Sequence, residues 1–195
     1  RNRGELDTSR MLAEELYTKA EELGLYSFTA KAWNSIGIVC FQTGDLTGAL
    51  EYFEKAYARH EELGENESVA VMVGNIGNVY SVKGEFAKAL VYQSKALEMH
   101  QRHHKLSLSA NMMSAMAEVY VQTGEYDTGL DFAQRSLHIF TELGELPGAA
   151  RADKVVSNVY FHLGEYDKAL EYLEHALTIF ESVGSGSDIA ALLSE

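Results

Sequence analysis

The side chains best suited to chemistry are few, and they are grouped. His100, His103 and His104 stand close together, and two histidines three apart on one helix face can hold a transition metal once a third ligand approaches. No Asp or Cys stands at a matching spacing, and His100 shares a register of 40 residues with His60, Phe140 and Phe180. That register predicts structural histidines and no metal. Cys40, the single cysteine, offers a redox thiol, but it stands in register with Tyr80, Tyr120 and Tyr160, which predicts a small buried hydrophobe. Met72, Met112, Met113 and Met116 offer an adaptable apolar lining or, more simply, core filling. No nucleophile stands beside a base, no carboxylates pair in a loop, and no glycine loop runs into Lys and Ser or Thr. The chain is read as no enzyme, with no catalytic residues and no cofactor.

Composition narrows the partners. Lys and Arg number 16 against 29 Asp and Glu, a formal net charge of −13, which excludes nucleic acid and anionic membrane surfaces, since both need clustered cations. A lone cysteine forms no internal disulfide and fits a reducing cytoplasmic setting. No apolar run approaches the roughly 18 residues a membrane span requires. With 46% hydrophobic residues and one proline, the chain can bury a continuous core built almost wholly of helix. It opens on Arg1-Asn2-Arg3 with neither an initiator Met nor a signal segment, and so reads as a piece of a longer protein.

The elements that position these residues repeat. Gly44, Gly84, Gly124 and Gly164 stand 40 residues apart, each followed by an acid and then Leu, Phe or Tyr; Ala30, Ala70, Ala110 and Ala150 keep the same step, as do Val39, Val79, Val119 and Val159. Within one period Ile76, Val79 and Tyr80 precede the glycine, and Phe86, Ala89, Leu90, Leu97 and Met99 follow it at helical spacing. Gly84 suits the left-handed residue that ends a helix, and Glu85 suits the positive start of the next. Each unit is therefore a helical hairpin. First helices are expected near 29–43, 69–83, 109–123 and 149–163, and second helices near 46–63, 86–103, 126–143 and 166–183. The expected division is a second helix of a preceding partial unit in 1–28, full units at 29–68, 69–108, 109–148 and 149–186, and the start of a further helix at 187–195. Neither end shows a polar cap. Raw ends of this kind predict either neighbouring repeats or a homodimer through the ends.

Trp33, Ile36, Gly37, Gly44, Ala49, Phe53 and Ala56 resemble the tetratricopeptide repeat signature. The later units keep it through Ile76-Gly77, Tyr80, Ala89 and Ala96, and through Tyr160, Ala169 and Ala176, while Gly129 and Ser136 replace alanines in the third. The period of 40 exceeds the family's usual length of about 34. In this it is similar to the repeats of kinesin light chains, spindle adaptors and bacterial regulatory proteins in which such arrays flank a signalling domain. The resemblance implies an all-α fold, a right-handed α-solenoid of antiparallel hairpins, with first helices lining a concave groove. It implies a non-catalytic scaffold for a protein or peptide or, alternatively, a regulatory or dimerisation arm acting through repeat ends or the convex face.

By register the groove residues are Lys31, Asn34, Asn75, Asn78, Asn111, Glu118, Arg151, Lys154 and Asn158. An Asn side chain both donates and accepts, so a row of them can read the backbone of an extended peptide, or it can bond within the fold. Lys31, Arg151 and Lys154 set positive charge on this face of an acidic chain and would favour acidic residues in the partner. The two-carboxylate clamp of chaperone-binding relatives is not expected, because Gly74, Asn78, Ala115, Arg151 and Val155 occupy its nearest register.

Overall fold

The computed structural model describes residues 3–184. Among these it contains α-helices alone: α1 (Arg3–Glu22), α2 (Tyr26–Gln42), α3 (Leu46–Glu62), α4 (Asn66–Val82), α5 (Phe86–Arg102), α6 (Leu106–Thr123), α7 (Tyr126–Leu143), α8 (Leu146–His162) and α9 (Tyr166–Ser182). The helix expected to start at 187–195 lies outside the described residues. The second helices fall where the apolar spacing puts them. The first helices α2, α4, α6 and α8 begin three residues ahead of the expected 29, 69, 109 and 149. The reason is local. The residues that open these helices lie mostly outside the core, and the buried pattern that apolar spacing detects begins only at Thr29, Val69, Ser109 and Ala149.

Every turn is the same device. A helix stops on one left-handed residue, and the next amide reaches back to a carbonyl five residues earlier, as Glu85 N–H does to Tyr80 O at 2.9 Å and Glu165 N–H to Tyr160 O at 2.9 Å. That residue is Gly84 (φ 75°) or a counterpart glycine at every described turn but one, where His104 takes it at φ 53°.

The chain divides into two compact units, residues 1–99 and 100–195. In the first, α1 packs on α2, α2 on α3 and α3 on α4, around Ile36, Cys40, Phe53, Met72, Ile76 and Val79. The first and second helices of its leading hairpin touch where there is no side chain: a Cβ on Gly37 would lie 2.7 Å from the Phe53 ring. In the second unit α6 pairs with α7, α7 with α8, and α8 with α9. Its cores centre on Ala133, Val155, Val156 and Tyr160, and on Ala150, Ala176 and Phe180. Stacked rings recur at one register: Tyr80 on Tyr92, Tyr120 on Phe132, and Tyr160 on Tyr172, at 5.4, 5.6 and 5.7 Å. In the first hairpin Cys40 replaces the leading tyrosine. It is buried, and burial pushes its thiol pKa up, away from the reactive thiolate.

Candidate peptide-binding face

In the first unit, α2 and α4 lie side by side closely enough for their amides to meet. Asn75 Nδ2 donates to Asn34 Oδ1 at 3.0 Å. Each keeps the other end of its amide, so the pair is both a tie between repeats and a fixed donor and acceptor. Asn78 is drawn inward instead, its Oδ1 accepting from Gln93 Nε2 at 3.0 Å. Gln93 is fully buried where the first hairpin has Phe53, and its Oε1 has no partner. Lys31 is exposed, with Nζ 5.0 Å over the Phe28 ring. It also contributes to holding the Glu65 carboxyl below its usual pKa, behind the larger effect of the hydrogen bond to Ser27 and that of His60.

In the second unit α6 packs on α8. Asn111 and Glu118 stand on α6, and Arg151, Lys154 and Asn158 on α8. Arg151 and Glu118 are exposed, while Asn111, Lys154 and Asn158 are half-buried. Glu118 and Lys154 interact with neighbours, whereas no described residue pairs with Arg151, Asn111 or Asn158. Below this face two hydroxyls replace apolar packing. Ser136, at an alanine register, is fully buried, donates to Ala110 O at 2.8 Å and meets Ser114 Oγ at 2.8 Å. Ser157 donates to Ala169 O at 2.7 Å.

The sequence reading missed one pair. Asp153, on α8 beside Lys154, is 1% exposed; its Oδ2 lies 2.7 Å from His175 Nδ1 on α9, and its Oδ1 has no partner. Burial raises its pKa above the usual carboxylate value, although the bond to His175 opposes this. The signal was an acid at the register of Trp33, Val73 and Met113.

Of the side chains weighed for other chemistry, some pack and others do not: His103 and His104 are exposed and Met112 is half-buried. His100 is buried like His60, Phe140 and Phe180, and Met72, Met113 and Met116 are buried as well. Among the described residues no three His, Cys, Asp or Glu converge on a metal-sized gap, and no helix is long and apolar enough to cross a membrane.

Solved structures share the fold, among them three that span most of this chain. BtubC (BKLC) from P. vanneervenii superposes with a TM-score of 0.78 at 16% identity, over 96% of this chain and 80% of that one. Aspartyl phosphate phosphatase F from Bacillus subtilis gives 0.80 at 18%, over 97% of this chain and 52% of that one. TPR-like repeats ascribed to a kinesin light chain of Podosopora anserina give 0.67 at 14%, over 93% and 89%. At such identities the likeness speaks for the fold alone. No curated protein sequence matches the chain. A family model described as tetratricopeptide repeat matches residues 28–102 and 108–191. With its 40-residue hairpins, left-handed turn residues and small residues at the helix contacts, the chain belongs to the tetratricopeptide repeat family, whose fold is typically a protein-interaction scaffold.

Proposed function

We propose that the chain is a non-catalytic scaffold that holds an extended, acidic peptide segment on its first-helix faces. The observation that carries this is the state of the second unit's face. Arg151 is exposed and Asn111 and Asn158 are half-buried, with no described residue pairing with them. Many cations on the second helices and on α1 are by contrast spent locally, as in Lys55–Glu51, Arg135–Asp131 and Lys19–Glu15. Arg151 and Lys154 supply charge, Arg with a fork suited to carboxylates. Asn111 and Asn158 supply amides to the peptide backbone, and Glu118 admits a basic residue beside them. In the first unit Lys31 and the Asn34–Asn75 pair play the same parts, while Asn78 is committed to Gln93. A single buried thiol fits a cytoplasmic setting.

Charge reversal tests the proposal. Arg151→Glu with Lys154→Glu is expected to weaken an acidic peptide by about tenfold or more, as loss of paired interface charges does; unchanged affinity in a folded variant removes the face from consideration. A second reading, assembly through an end, is favoured by α1, where Met11, Leu12 and Leu16 are 60%, 56% and 38% exposed. It predicts a dimer in light scattering that is lost when Leu12 and Leu16 become Ser.

A further inference from the structure

At the turn edge of the second unit the tetrapeptide Gly-Glu-Tyr-Asp occurs twice in register, at 124–127 and 164–167. Its tyrosines belong to a run of rings across three helices. Tyr126 of α7 stacks on His162 of α8 at 5.4 Å and 11°. His162 meets Phe161 edge-on at 5.9 Å, and Phe161 meets Tyr166 of α9 edge-on at 5.5 Å. The rings pack on one another, yet Phe161 is 58% and Tyr166 63% exposed. A shallow depression lies at each tetrapeptide, one lined by Gly124–Thr128 with Leu163 and the other by Gly164–Lys168.

The acids separate this edge from its counterpart in the first unit. There the turns read Gly44-Asp45-Leu46-Thr47 and Gly84-Glu85-Phe86-Ala87, with one acid each. Both are engaged: Asp45 accepts from the Gly48 amide at 2.9 Å, and Glu85 pairs with Lys83 at 3.2 Å and Lys88 at 2.6 Å. In the second unit Glu125 accepts from the Thr123 hydroxyl and Glu165 pairs with Lys168, but no described residue pairs with Asp127 or Asp167. A first-turn acid is favoured by the helix dipole. That accounts for the charges singly, and not for an open aromatic run between them.

We infer that this edge docks a partner segment rich in arginine or lysine. Guanidinium groups stack on exposed Tyr, Phe and His rings, and carboxylates beside the rings fix their charge. The chain uses the same chemistry internally, with Arg59 4.8 Å over Tyr26 and Lys168 5.1 Å over Tyr160. A net charge of −13 draws such a segment in. This surface is separate from the Arg151 face and takes the opposite charge, so either stands without the other.

The test uses the whole chain and a short fluorescent peptide of alternating Arg and Leu, with a Glu and Leu peptide as counterpart, read by anisotropy at physiological salt. The Arg peptide is expected to bind. Asp127→Asn with Asp167→Asn, and separately Phe161→Ser with Tyr166→Ser, should each weaken it by about tenfold. Glu21→Gln with Glu54→Gln, which removes the same charge from α1 and α3, should leave binding unchanged. Equal weakening by the control pair would mean diffuse attraction and overturn the inference, as would no effect of either edge pair. Loss of a dimer in the Phe161→Ser, Tyr166→Ser variant would overturn it too, giving the edge to a second copy. The Asp→Asn pair alters only exposed side chains and guards against a folding defect in the aromatic variant.

Discussion

Asp153 stands where the first three repeats have Trp33, Val73 and Met113, and it shows how much one residue can carry. A carboxylate with one oxygen on His175 and the other unpartnered is a costly occupant of a core position. Its pKa is raised by burial. The folded unit thus binds that proton more tightly than the unfolded chain, whose Asp titrates at about 3.9. The stability Asp153 contributes is complete below the unfolded value and is lost as pH rises through the raised one. Asp153→Asn removes the titration and keeps an acceptor for His175. Its melting temperature relative to the parent chain is expected to rise between pH 4 and pH 7, and a difference that is flat or falls would contradict the assignment. Sequence periodicity could place Asp153 in a buried register, but which side chain faced it depended on α9 lying across α8.

At the scale of the element, the second helices were legible almost to the residue because two signals coincide at each start, a left-handed turn glycine and an acid. The same glycine and acid precede α4 and α8 at 64–65 and 144–145, but the three residues that open each first helix lie mostly outside the core, so the apolar spacing marked those helices only from 29, 69, 109 and 149. His104 is the informative exception. It holds the left-handed conformation at φ 53° at a register otherwise filled by Gly24, Gly64, Gly144 and Gly184, and a Cβ there costs about 1 kcal/mol. His104→Gly should raise the stability of the fold by up to about 1 kcal/mol, reduced somewhat by the greater freedom of the unfolded chain. Urea denaturation measures this, and a loss of stability would show that the His104 side chain has a bonding role. Asn34, Asn75 and Asn78 were legible as a polar row. Their pairings were not, since Asn75 reaches back to the preceding repeat whereas Asn78 turns to Gln93 on the next helix.

At the scale of the molecule, the repeat makes the fold readable and the function less so. Period, turn glycines and small residues are shared by every hairpin, whereas the chemistry lies in departures from the repeat: Arg151, Asp153, Ser136, Gln93 and the doubled Gly-Glu-Tyr-Asp. These departures concentrate in the second unit, which carries both the proposed peptide face around Arg151 and Lys154 and the proposed docking edge at the doubled tetrapeptide. A scaffold with two surfaces of opposite charge can hold two kinds of segment at once, each selected by electrostatic complementarity more than by area.

The most direct measurement of the central claim is amide chemical-shift mapping of the chain during titration with an extended acidic peptide. The largest shifts are expected at Asn111, Ser114, Arg151, Lys154 and Asn158, and they should disappear in the Arg151→Glu, Lys154→Glu variant. Shifts concentrated on α7 and α9, or shifts that persist after charge reversal, would contradict binding on the first-helix face.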